Sequence, residues 1–146
     1  MDYYMTIKGV TGDSTNKEHK GSFELDSYSI GVTRGVTPTP TALTLFPLSI
    51  SLRSVLSVPL LLAQANKAAV LNVTIQGRSS SVKFDSLKIV FSGAVISDMS
   101  TADSGGGDVP QTSLSFVYKS VAYTFTPTLA DGTAGTPVTT TITATP

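Results

Sequence analysis

The sequence contains no cysteine and no tryptophan, and its only histidine is His19. Without cysteine, neither a disulfide framework nor a thiolate metal site can form. A single histidine leaves a nucleophilic triad or a zinc site short of partners. Charge is scarce as well. Charged residues make up 14% of the chain, and ten Lys and Arg offset ten Asp and Glu to a net charge of zero. No basic stripe stands out, which argues against a nucleic-acid partner, because phosphate binding needs clustered Lys and Arg. Zero net charge also weakens the repulsion that keeps molecules apart, and so permits self-association. The longest apolar run, around Val58 to Ala63, is far too short to span a bilayer, so membrane insertion is not expected. The opening Met1-Asp2-Tyr3-Tyr4 lacks the basic region of a signal peptide. These absences predict a chain made soluble in the cytoplasm, with any export by a leaderless route.

What fills the gap is hydroxyl. There are 21 Thr and 19 Ser among 146 residues. Thr suits a pleated surface, so the bias favours strands whose solvated faces are hydroxyl-rich rather than ionic. The length suits one domain with one core, spanning residues 1–146.

Apolar residues alternate along most of the chain, the pattern of half-buried strands. Tyr3, Met5 and Ile7 open it. A polar run with three glycines, Gly9 to Gly21, reads as a loop. Alternation resumes at Phe23 and Leu25, then changes phase to Tyr28, Ile30 and Val32, which predicts a bend near Asp26-Ser27. Pro38 and Pro40 exclude a central strand and favour an extended, polyproline-like arm over Val36-Thr37-Pro38-Thr39-Pro40-Thr41-Ala42-Leu43. Leu43, Leu45, Leu48, Ile50 and Leu52 form the next strand, with Pro47 at its phase break. Ser57 is the expected cap of a short helix running to Lys67, in which at least one of Leu60, Leu61 and Leu62 must face away from the core.

Strands are then expected over Val70 to Ile75 and, after a hairpin at residues 77–81, from Val82 through Ile96, with phase changes near Asp85-Ser86 and Gly93-Ala94. Gly105-Gly106-Gly107 marks a turn. A strand from Thr112 to Phe125 should bulge within Val117 to Ser120, and Asp131-Gly132 is a hairpin turn before a Thr-rich strand, Val138 to Thr143. Repeated phase breaks favour a closed or nearly closed barrel over a flat sandwich. The fold class is therefore all-β: a small bulged β-barrel of about seven strands with one short α-helix.

No constellation of residues points to catalysis. His19 reads as a loop residue hydrogen-bonded locally. Asp13-x-x-Asn16-x-Glu18 lacks the glycine and the bidentate Glu of a calcium loop. Glu24 and Asp26 are neighbours on one strand face with nothing to set them apart as paired carboxylates. The triple glycine is followed by neither Lys-Ser/Thr nor a helix, so it is no phosphate loop. Catalytic, metal and cofactor sites are all expected to be absent.

The ordered set Gly9, Gly12, Asp13, Ser14, His19, Gly21, Ser27, Ser29 and Gly31 resembles the Hcp family, the tube protein of the bacterial type VI secretion system. In that family a first strand leads into a Gly-x-x-Gly-Glu/Asp-Ser loop ending in a His-Lys-Gly-like turn. The turns at residues 104–108 and 130–135 resemble the family as well. The resemblance implies hexameric rings that stack into a hollow tube, with the arm Val36, Thr37, Pro38, Thr39, Pro40 and Leu43 contacting the next ring. It implies sheath, spike and effector proteins as partners beside further copies of the chain. Two alternatives stay open: a stand-alone secreted ring or filament protein of the same family, and a monomeric β-barrel binding module.

Overall fold

The computed structural model describes residues 1–12, 14–53, 58–79, 81–102 and 111–143. Chain order gives β1 (Asp2–Ile7), β2 (Phe23–Leu25), β3 (Ser27–Ser29), β4 (Val32–Thr33), β5 (Thr44–Leu45) and β6 (Leu48–Arg53). Next come α1 (Val58–Lys67), β7 (Leu71–Arg78), β8 (Leu87–Ala102), β9 (Gln111–Val117), β10 (Ser120–Phe125) and β11 (Val138–Thr143). The main sheet runs β2-β1-β7-β8-β9-β6-β3, and every pairing in it is antiparallel. Its two ends, β2 and β3, are one stretch of chain broken only at Asp26. β2 pairs with β1 and β3 with β6, while the Asp26 N–H donates to the Ser51 carbonyl at 2.8 Å. The bend expected at Asp26-Ser27 is thus the place where the seven-strand path closes on itself. Small barrels remove unpaired edges in this way.

The other phase breaks have the same use. On β8 the buried set changes from Leu87, Ile89 and Phe91 to Ala94 and Ile96, and Gly93 between them sits at φ +65°, a conformation glycine adopts without steric cost. A second irregularity, between Ile96 and Asp98, was not visible in the alternation. The expected bulge at residues 117–120 is a full break. Lys119 N–H donates to the Ser92 carbonyl at 2.9 Å, and β10 leaves β9's company to extend the sheet outward through β11. The Asp131-Gly132 turn is present. Asp131 Oδ1 accepts from the Thr133 N–H and hydroxyl, which holds its carboxyl below the usual carboxylate range.

Two expectations need correction. The strand expected from Val82 begins instead at Leu87, because β7 runs on through Gly77 and Arg78 against Tyr3 and Asp2, so Val82 and Phe84 belong to the connection. The Pro-rich arm is not a single extended segment. β4 and β5 pair, and its loop closes when Thr41 N–H donates to the Gly35 carbonyl at 2.7 Å and Gly35 N–H to Thr41 Oγ1 at 2.9 Å. The expected cap Ser57 and the triple-glycine turn lie outside the described residues.

One core cluster fills the barrel, led by Phe23, Phe91, Phe116, Met5, Ile7 and Leu48. On α1, Val58 and Leu61 face inward, whereas Leu60 and Leu62 are both exposed. The Phe91 ring is fully buried and meets Tyr118 edge-on at 4.9 Å. Phe91→Ala removes both its burial and this contact. It should lower unfolding free energy by about 3–5 kcal/mol, measured by urea denaturation with an unchanged m-value.

Candidate functional site

The loop between β1 and β2 carries most of the polar chemistry. Gly12 N–H donates to the Gly21 carbonyl at 2.7 Å and Ser14 N–H to the Ser22 carbonyl at 2.9 Å, so the loop doubles back on itself. A Cβ at Gly12 would stand 2.4 Å from the Ser22 carbonyl oxygen, and Gly21 lies at φ +82°. Each position therefore requires glycine, one for space and the other for conformation. Gly9 turns the chain out of β1, where Val10 N–H reaches the Ile7 carbonyl at 3.0 Å. Ser14 is buried. Its hydroxyl donates to Glu24 Oε1 at 3.3 Å and accepts from Asn16 N–H at 3.2 Å. Asp13 lies outside the described residues.

His19 is buried beneath this loop, stacked on Tyr4 with ring centres 4.1 Å apart and planes 3° from parallel. Its Nε2 donates to Asp85 Oδ1 at 2.9 Å, and its Nδ1 faces Asn16 Oδ1 at 3.2 Å. Asn16 Oδ1 also accepts from the Glu18 and His19 N–H groups, and its Nδ2 donates to the Tyr4 hydroxyl. Asp85 further accepts from Arg78 Nε at 3.2 Å and Gln76 Nε2 at 3.1 Å, while Arg78 pairs with Glu18. His19 was expected to bond locally. It does so through Asn16, and it also reaches a partner 66 residues along the chain.

A His–Asp pair is the base and orienter of many hydrolytic sites. Here both ring nitrogens are engaged and the ring face is sealed by Tyr4, so the pair fastens the loop to β7 and to the residue 79–86 connection. Among the described residues, no group of three or more His, Cys, Asp and Glu is placed to hold a metal. Asp85, Gln76, Arg78 and Tyr4 were missed in the sequence. The one available signal was that Gln76 and Arg78 share a face of β7.

The arm is the second feature. Val36, Thr37, Pro38, Thr39 and Pro40 are exposed, Val36 by 67%, and Leu43 is half-buried. At its root, Ile30 and Val32 face Tyr118, Val121, Tyr123 and Ile142 across an apolar cleft of about 290 Å³. Tyr118 donates to the Phe46 carbonyl at 2.7 Å, and burial pushes its pKa up. Beside the cleft, Tyr28 meets Tyr3 edge-on at 5.0 Å. Burial, followed by the neighbouring Tyr123 and Tyr3, pushes the Tyr28 hydroxyl up to about 12. The arm and the motif loop belong to different places on the barrel surface, and the structure does not bring them into one site.

Barrel, loop and arm together define a β-barrel whose buried polar cluster fastens the β1–β2 loop to its wall. The sequence matches the family described as type VI secretion system effector, Hcp, over residues 4–125, and the chain belongs to that family of structural secretion proteins. Solved structures share its fold at identities too low to carry more than the fold. A structure of a type six secretion system protein is 21% identical with TM-score 0.86, covering 94% of this chain and 91% of the other. Hcp1 from Salmonella typhimurium is 16% identical with TM-score 0.83, covering 98% and 94%. A type VI secretion system effector from Yersinia pestis is 16% identical with TM-score 0.81, covering 98% and 100%. No curated protein matches the chain. Among the described residues, no helix is long and apolar enough to cross a membrane.

Two outcomes follow from this geometry. Asp85→Ala leaves His19 and Arg78 without their shared acceptor, and hydrogen bonds to charged groups contribute about 1.5–3 kcal/mol. The variant should fold with stability lowered by about that amount and with faster amide exchange across residues 14–22. Raised tyrosine values act in the alkaline range. A hydroxyl that ionises later in the folded than in the unfolded chain contributes stability that is present below the unfolded value and lost as pH rises through the folded one. For Tyr28 this window runs from 10.0 to about 12. Tyr28→Phe should flatten the decline of melting temperature with pH in that interval and leave neutral pH behaviour nearly unchanged.

Proposed function

We propose that the whole chain, residues 1–146, is one tube domain whose copies form hexameric rings, and that the rings stack into a hollow tube of a type VI contractile secretion system. The observation that carries this reading is membership of the Hcp family over residues 4–125, on a barrel whose one His–Asp pair is sealed. The function is mechanical, with no catalytic step and no cofactor. Head-to-tail contacts between copies close by rotation, and stacked rings propagate without closing. Sheath, spike and effector proteins are the partners of such a tube, with effectors carried in the lumen. Delivery takes the protein from the cytoplasm to the outside by a route that needs no signal peptide. A stand-alone secreted ring or filament would use the same self-contacts without the sheath.

The arm is the proposed contact between rings. It projects from the barrel with uncharged, exposed residues at its tip, a surface suited to burial against another copy. A second reading, a monomeric barrel binding an apolar ligand, is favoured by the cleft of about 290 Å³. Negative-stain electron microscopy separates the two. The tube reading expects rings with a central hole; particles no larger than a single barrel would contradict it. The double variant Val36→Asp, Leu43→Asp should give intact rings that no longer stack. Filaments as long as those of the parent protein would remove the arm from ring-to-ring contact.

A further inference from the structure

His19 is the one histidine of the chain, and its buried ring has an oxygen acceptor in front of each nitrogen. Nδ1 faces Asn16 Oδ1 at 3.2 Å, and Nε2 faces Asp85 Oδ1 at 2.9 Å. The orientation of the Asn16 amide follows from its other contacts. Its Oδ1 accepts from the Glu18 N–H at 3.0 Å and the His19 N–H at 3.2 Å, so a turned amide would set its NH2 against two donors. Nor does Asp85 offer a hydroxyl to the ring. Its Oδ1 also accepts from Arg78 Nε and its Oδ2 from Gln76 Nε2, so donors already approach both oxygens. A neutral imidazole has one N–H and one bare lone pair. In either tautomer that lone pair, on a buried ring, would face an oxygen and leave a hydrogen bond unmade. An imidazolium satisfies both acceptors.

The charges around the ring favour the same state. Asp85 comes from the connection before β8, Glu18 from the loop itself, Asp2 from β1, Glu24 from β2 and Arg78 from β7. Arg78 pairs with Asp85 and Glu18 and stands opposite Asp2 in the β1–β7 register, while Glu24 accepts from buried Ser14. Among the described residues, one arginine thus stands amid these four carboxylates. Lys17 and Lys20, beside His19 in sequence, are exposed. The same set acts on Tyr4. Burial first, then Asp2 and Glu24, push its hydroxyl up, with Asp85 adding to them and Arg78 opposing. The Tyr4 ring lies 4.1 Å from the His19 ring, inside the range of about 6 Å over which an aromatic face attracts a cation.

We propose that His19 is held in this fold as an imidazolium, and that the doubly donating ring is a proton-dependent latch for the β1–β2 loop. Where the ring carries both protons, Nδ1–H holds Asn16 and the turn it closes, and Nε2–H ties the loop to Asp85. As pH rises and one proton leaves, one of these contacts becomes a lone pair facing an oxygen, and the loop loses that fastening. The latch is closed on the acid side and open on the alkaline side, the reverse of a loop held by carboxylates that must stay ionised. β1 and β2 continue to anchor the two ends, so the change falls within residues 14–22.

With one histidine in the chain, nitrogen-15 NMR of histidine-labelled protein, in solution or as a sedimented assembly, reports this ring alone. At about pH 7.5 an ordinary histidine is mostly neutral. The expected spectrum at that pH has a proton on both nitrogens of His19. In Asp85→Asn, which keeps the shape and removes the charge, one nitrogen should be bare. A bare nitrogen in the parent would overturn the proposal, as would an unchanged imidazolium in Asp85→Asn. Amide exchange, corrected for its intrinsic rise with pH, gives a second readout. Protection of residues 14–22 should fall at least about tenfold as the ring gives up its proton, the factor for one hydrogen bond to a charged group, while β7 and β8 hold theirs. His19→Gln has no such proton to release and should not show the fall. Loop protection that ignores pH in the parent, or falls equally in His19→Gln, would reveal a merely structural histidine and overturn the latch. The spectrum and the exchange of the parent need no variant, so they decide even where a substitution fails to fold.

Discussion

Closure of the sheet at Asp26 is the constraint on which the rest of this structure depends. A sheet with β8 at its centre and β2 and β3 at its two ends becomes a barrel only because those ends are consecutive in the chain. The hinge is small: one residue out of register, with its N–H donated to Ser51. From this closure follow an enclosed core around Phe23, Phe91 and Phe116, and an outer surface of alternating hydroxyl side chains. Bulges at Gly93 and after Ile96 supply the curvature that closure requires.

The polar loop supports the same end. Gly12 lets two backbone segments approach within a distance that no side chain allows, and the His19–Asp85–Arg78 set ties the loop to β7. A chain with so little charge concentrates several of its ionic contacts in one place, where they hold geometry. The arm and the β10–β11 hairpin are left nearly without charge, with Arg34 and Asp131 alone on them. That division suits the assembly proposed above, since zero net charge lowers repulsion and neutral faces cost little to desolvate.

Strand alternation was legible wherever one face is buried. Phe23 and Leu25 against Tyr28 and Ile30 located the Asp26 bend, and Leu114 and Phe116 against Val121 and Tyr123 located the break before β10. Val82 and Phe84 misled because two apolar residues in alternation look the same in a half-buried connection as in a strand. The second irregularity on β8 escaped because Ser97 and Asp98 are both polar, and a bulge among polar residues leaves no trace in the apolar period. The partners of His19 were illegible for a different reason. Asp85 lies 66 residues away, and no local pattern reports a contact set by the tertiary fold. The arm was visible through its prolines, but its return as a paired hairpin depends on the Gly35–Thr41 bonds, which the sequence does not announce.

The central claim is that this barrel is one unit of a larger ring. Sedimentation velocity over a wide range of protein concentration tests it most directly. The account predicts a defined species several times the 15.2 kDa chain mass, with longer assemblies growing from it as concentration rises. A single species at the chain mass throughout the range would contradict it.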